Sequence, residues 1–341
     1  MRILRMFITI RKTSGIPVSI CLQNYYKEEI TMMRFVSNIK VELSDFGKHT
    51  GINNFKGTSR ISVWDLCRAY ITVGYPLSNR HLQRFPIWIW KAIGFPRLIF
   101  LLKANKYWSL KNFVGSLDSS EKRMNSYELG MLFTKLVAEK YMGIVGLSHV
   151  DQMIKKGVIK IKNGKKLKGR RGDLVGMDRR TNWHVIEAKG RTNKVKSVLD
   201  QAKNQAEQIS SINGQPPVTK SGSLVLLNGK SITTLIKDPS EEEKVEIFVD
   251  KEAFLLGYYE VIFMLLETFG YHQEHIIGHK YDVFHIIVNE NKITVGVLSK
   301  IRKNPLKAPE IINELKLESI QGNESLSSGL DGVVIKWETL K

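Results

Sequence analysis

Apolar residues recur along the chain at two spacings, and each run of them predicts an element. Over residues 125–143, Leu129, Leu132, Phe133, Leu136 and Val137 fall at i, i+3, i+4, i+7 and i+8. That is one face of a helix, with Asn125 or Ser126 placed to cap its start. Residues 157–162 (GVIKIK) alternate with period two, and Asn163 and Gly164 part them from residues 165–168. Asn-Gly between alternating runs is the strongest short hairpin signal, because both turn positions need positive φ. A further strand begins near Asp173 (DLVGM); after a polar turn at 178–182 comes another, 183–190 (WHVIEAKG). A second helix is expected over 193–212, with Val195, Val198, Leu199, Ala202, Ala206 and Ile209 as its apolar face. Residues 223–227 (SLVLL) then form a short buried strand. Helix, three strands, helix, strand is the order of an α/β layered domain with a mixed sheet flanked by helices.

The flanks are patterned more loosely. Residues 61–74 and 79–94 read as short helices carrying Trp64, Trp88 and Trp90 among arginines, either a compact helical module or a cap on the next domain. Aromatic and basic side chains so mixed can stack bases and hold phosphate, though tryptophans of this kind commonly fill a core. The most apolar stretch, 85–102, is broken by Lys91, Pro96 and Arg97, so it reads as two short helices parted at Gly94 and Pro96 rather than a membrane span. Towards the C-terminus, strands are expected at 245–249 and 333–337, a helix at 252–269, and a hairpin of 285–288 with 293–297. At about 150 residues per domain, 341 residues suggest two domains and an appendage. The expected division is a basic, mainly helical region at 1–120, a central core at 121–230 and an acidic α+β region at 231–341. Met32 and Met33 precede a more regular pattern and offer a second natural start.

Charge adds a partner to this picture. The net formal charge is +19, from 52 Lys plus Arg against 33 Asp plus Glu. It is unevenly spread: 18 basic against 6 acidic residues over 1–120, 15 against 4 over 151–196, and 15 against 20 over 197–341. A local basic surface suits a polyanion, most often nucleic acid. Ordinary globular composition, with 43% hydrophobic and 25% charged residues, excludes collagen-like, disordered and multi-span membrane classes. Two cysteines 46 positions apart, Cys21 and Cys67, exclude a zinc ribbon and suit a reducing cytoplasm.

The candidate chemistry lies in the middle. Side chains alternate along a strand, so Val185, Glu187 and Lys189 share one face and Ile186 and Ala188 the other. Two ionisable groups inside an apolar strand are costly unless something pairs them. Antiparallel pairing across the polar turn brings the Asp173 carboxylate towards that of Glu187. A divalent cation preferring hard oxygen, magnesium first, relieves the repulsion, activates water and offsets charge on a phosphate. Lys189 then steadies the attacking water or the charged transition state.

Gly172-Asp-Leu-Val-Gly176, followed fourteen positions after the Asp by Glu187-Ala-Lys189, resembles the PD…(D/E)xK signature of the restriction-endonuclease-like nuclease superfamily. The order of elements over residues 121–230 is similar to that family's core; Gly172 stands where the family usually has Pro. The resemblance implies a restriction-endonuclease-like fold and a DNA endonuclease, in restriction or defence against foreign DNA, with repair and recombination nucleases as siblings. It implies Mg2+, with Mn2+ able to substitute, held by Asp173, Glu187 and a Glu of the first core helix, Glu128 or its rival Glu139. On the helix after the ExK strand it implies a role for Gln201 or Gln205. Lys155, Lys156, Lys165, Lys166, Lys168, Arg170, Arg171 and Arg191 would meet the DNA backbone, and a homodimer suits cleavage of both strands. Two other classes compete: a catalytically inactive nucleic-acid-binding protein with the same core, and a partner-docking protein using its acidic third. Other motifs fall away. Asn228-Gly-Lys-Ser231 lacks the upstream Gly of a phosphate loop and reads as a strand-end turn, while Gly270 and Gly278 break any helix aligning His272, His275 and His279 for zinc.

Overall fold

The longest helix starts and stops where local chemistry dictates. Asp118 caps it by accepting the Ser120 N–H at 2.7 Å, and Gly143, at φ 68°, ends it. The structure is a computed structural model, in which residues 5–11, 17–23, 36–73, 87–161, 172–192, 196–206, 209–238, 245–288 and 290–340 are described. A seven-stranded sheet is built from β1 (Val36–Ser44), β2 (Phe55–Ser62), β3 (Ile144–His149), β4 (Leu174–Asp178), β5 (Trp183–Arg191), β6 (Thr219–Leu227) and β7 (Ile232–Lys237). Its order is β2-β1-β7-β6-β5-β4-β3. Strands β3, β4 and β5 form an antiparallel meander, while β6 runs parallel to β5 after the helix that connects them. The flanking helices are α1 (Val63–Thr72), α2 (Ile87–Phe100), α3 (Ser119–Met142) and α4 (Lys196–Ala206).

Alternation along β5 decides which helix covers which face. Ile186 and Ala188 join the core that includes Leu129, Leu132, Phe133 and Leu136 of α3. Val185 belongs to a second core with Ala206 of α4 and Phe254, Tyr258 and Ile262 of α5 (Lys251–Phe269). That core also receives a second, antiparallel sheet holding β8 (His272–Ile276), β9 (His279–Val288), β10 (Asn291–Leu298) and β11 (Val333–Thr339). Strands Arg5–Arg11 and Pro17–Gln23 extend this sheet beyond β9.

Several expectations are corrected. Residues 1–120 are not mainly helical: strands 5–11, 17–23, β1 and β2 come from them and complete both sheets. The burial of β1 alternates with period two, with Ile39, Val41 and Leu43 inward. Residues 87–100 form one helix through Pro96, whose missing N–H removes only one ladder bond while Leu98 beyond it stays fully buried. The first strand after α3 is β3, whose apolar run begins directly after the Gly143 cap. The GVIKIK stretch does contain a strand, Ile159–Ile161, but it pairs with Val245–Val249 in a separate three-stranded sheet. The turn expected at Asn163-Gly164 lies outside the described residues. Helix α4 ends at Ala206, and Ile209–Ile212 is a strand beside Val245–Val249. Asn228 does close a strand-end turn, accepting the Lys230 and Ser231 N–H groups at 2.9 and 2.8 Å.

Candidate functional site

The β4–β5 register sets the centre. The last pair of the ladder is Leu174 opposite Ile186, so Asp173, one step back, stands opposite Glu187, one step on. The Ala188 backbone N–H favours the charged form of the Asp173 carboxylate, and the Asp173 N–H that of Glu187. Lys189, two residues along the same face, donates from Nζ to Glu187 Oε1. Asp173 also ties β3 to the centre, since its carbonyl accepts the Val150 N–H at 2.9 Å. The three residues singled out in the sequence are therefore neighbours at the end of one strand pair.

Their environment opposes charge. Glu187 is 1% exposed, and its carboxyl is pushed up to about 8, by burial first and the Asp173 charge second, against the pull of Lys189. Asp173 is also raised, chiefly by burial, with Asp151 adding to the rise and Lys189 and His149 opposing it. Glu187 Oε2 is buried with no hydrogen-bond partner among the described residues. Two carboxylates, one of them with a buried oxygen unbonded among the described residues, make a hard-oxygen donor set.

No family model matches the chain, and no curated protein or solved structure matches it significantly. The centre is consequently read from its own geometry.

The remaining sequence candidates divide. Glu128 lies on α3 and is held by Arg97 of α2, which also donates to Asn125 Oδ1 at 2.8 Å. Its rival Glu139 is fully buried and takes two 2.8 Å bonds from Arg68, so it is an internal counter-ion. Gln201 is exposed on α4, whereas Gln205 keeps a buried Oε1 with no partner among the described residues. Its neighbour Ala206 packs close to Gly172, next to Asp173. Lys155 and Arg191 are exposed. Lys156 is only 15% exposed and committed to Glu260, which removes it from any phosphate-binding set. Lys165, Lys166, Lys168, Arg170 and Arg171 lie outside the described residues.

Sequence reasoning missed His149 and Asp151, both close enough for their charges to act on Asp173. The Tyr127 hydroxyl, from α3, meets His149 Nε2 at 2.7 Å. Seeing them required β3, because His149 is its last residue. His184, on the opposite face of β5, is buried with Nδ1 2.9 Å from Thr219 Oγ1, a packing role.

Proposed function

We propose that the chain is a magnesium-dependent DNA endonuclease with a restriction-endonuclease-like core, in restriction or defence. The carrying observation is the meeting of Asp173, Glu187 and Lys189 at one end of the β4–β5 pair. The succession α3, the β3–β4–β5 meander, α4 and the parallel β6 supports the same reading.

The donor set fits a hard dication, because Glu187 Oε2 is buried and unbonded beside a second carboxylate. Asp173 and Glu187 would hold Mg2+ or Mn2+, which when bound supplies positive charge to the scissile phosphate and acidifies water. The backbone N–H groups of Ala188 and Asp173 act on the Asp173 and Glu187 carboxylates respectively, so little reorganisation is needed on binding. The Lys189 ammonium neutralises charge growing on the phosphoryl oxygens and orients the nucleophile. Gln205, with its orphan Oε1, is the better of the two glutamines for a polar contact near the centre. Exposed Lys155 and Arg191 are suited to phosphate contacts outside it. A homodimer would let two such centres cut both strands, in a cytoplasmic setting suited to the free Cys67. No helix among the described residues is long and apolar enough to cross a membrane. A binding protein without catalysis is the weaker reading, since the acid pair and the lysine are all present.

The test is plasmid cleavage. Purified protein with Mg2+ should nick or linearise supercoiled DNA, EDTA should stop it, and Lys189→Ala should slow it by about 100-fold or more. Intact plasmid across several DNA substrates would refute the enzyme, and unimpaired cleavage by Lys189→Ala would refute this centre.

A further inference from the structure

Far along the chain, a second cluster has a different chemistry. His272 and Glu274 stand two apart on β8, hence on one face, and His285 comes from the adjoining strand β9. Glu274 Oε1 lies 3.2 Å from His272 Nε2 and 3.0 Å from His285 Nε2. The three ligand atoms all fall within 4.8 Å of one another. Donors bonded at about 2.0–2.1 Å to one tetrahedral ion sit about 3.3 Å apart, so these separations need little adjustment.

The ring of His285 is also oriented from behind. Its Nδ1 lies 3.1 Å from Thr294 Oγ1 on β10, which leaves Nε2 directed at Glu274. Such a partner on the far ring nitrogen fixes the tautomer of a ligating histidine. One cation faces the cluster: the charge of Lys292 acts on both Glu274 and His285. Lys292 is engaged by Glu338 Oε2 at 2.8 Å, and Lys336 by the other oxygen of that carboxylate, so its opposition to a dication is reduced.

We propose that His272, Glu274 and His285 bind a transition-metal dication of the zinc class, leaving a remaining coordination position open. Two imidazoles and one carboxylate suit zinc, and magnesium poorly, so this site is chemically distinct from the Asp173–Glu187 pair. Among the described residues strand β8 pairs with β9 alone, so the ion would staple an edge strand to its sheet. The sequence spacing of His272, His275 and His279 misdirects attention, because the partner of His272 is His285 across the ladder, and His275 is exposed on the other face of β8.

Calorimetric titration of Zn2+ into the full chain tests this, with Co2+ absorption to report tetrahedral coordination. One equivalent should bind in the wild type and equally in Asp173→Asn, and binding at this site should vanish in His285→Ala and Glu274→Gln. Thr294→Val, which keeps all three ligands, should weaken it by about 10- to 100-fold. Absence of saturable uptake, wild-type uptake in His285→Ala and Glu274→Gln, or loss of the equivalent in Asp173→Asn would each overturn the proposal.

Discussion

Arg68 and Glu139 meet through two parallel bonds where neither side chain has any exposure to water. Lys135 and Asp331 complete the cluster, with Asp331 3.7 Å from each cation and its carboxylate also accepting the Tyr258 hydroxyl at 2.6 Å. Removing one member of such a set leaves a buried charge without compensation. Arg68→Ala should therefore cost about 3–5 kcal/mol in denaturant unfolding. The Arg68 and Lys135 charges overcome burial and bring the Glu139 carboxyl down from 4.5 to about 2. A carboxyl depressed on folding stabilises the protein above its unfolded value, and that stability is lost as pH falls through the folded one. The unfolding midpoint should thus drop between pH 4.5 and 2, and Glu139→Gln should flatten the drop while lowering stability at neutral pH. No pattern along the chain signals this: Glu139 reads as a rival metal ligand because its counter-ion lies in another element, α1.

Helix α3 and strand β5 approach each other closely. A Cβ on Gly190 would overlap the Ser126 carbonyl oxygen, and one on Gly130 would come within 2.8 Å of the Gly190 backbone nitrogen. Gly190→Ala must push the helix off the strand that carries Glu187 and Lys189. It should cost about 1–3 kcal/mol by thermal unfolding and lower the proposed plasmid cleavage as well, because the strand end shifts. Elements whose partners lie nearby were legible from pattern alone. Helix α3 showed its 3.6-residue spacing, and β5 its alternation with Glu187 and Lys189 on one side. The run 144–149 was not, because it follows the helical pattern after a single Gly and all but its last residue are buried, leaving no alternation to see. Strand Ile159–Ile161 alternates truly, yet nothing local says that its partner is Val245–Val249. The Asp173–Glu187–Lys189 centre was readable because one register fixes all three; His149 and Asp151 were hidden with β3.

At the scale of the molecule, the expected central unit does not contain its own support. Strand β6 pairs with β7, which lies beyond residue 230 and pairs in turn with β1, and the Lys135–Glu139 pair of α3 depends on Arg68 and Asp331 from either side of the 121–230 stretch. A fragment of residues 121–230 should therefore show no cooperative melting by circular dichroism, whereas the full chain melts in one transition. Part of the +19 charge is engaged within the chain, since Lys156 pairs with Glu260, Arg97 with Glu128 and Lys135 with Glu139. The Arg68–Asp331 contact has a consequence in time. A ribosome delivers Arg68 long before Asp331, so the first half of the chain must wait with its buried cations only partly compensated. Structure then arrives as a late event of synthesis, and a nascent chain cannot close the Arg68–Glu139–Asp331 cluster before residue 331 has emerged.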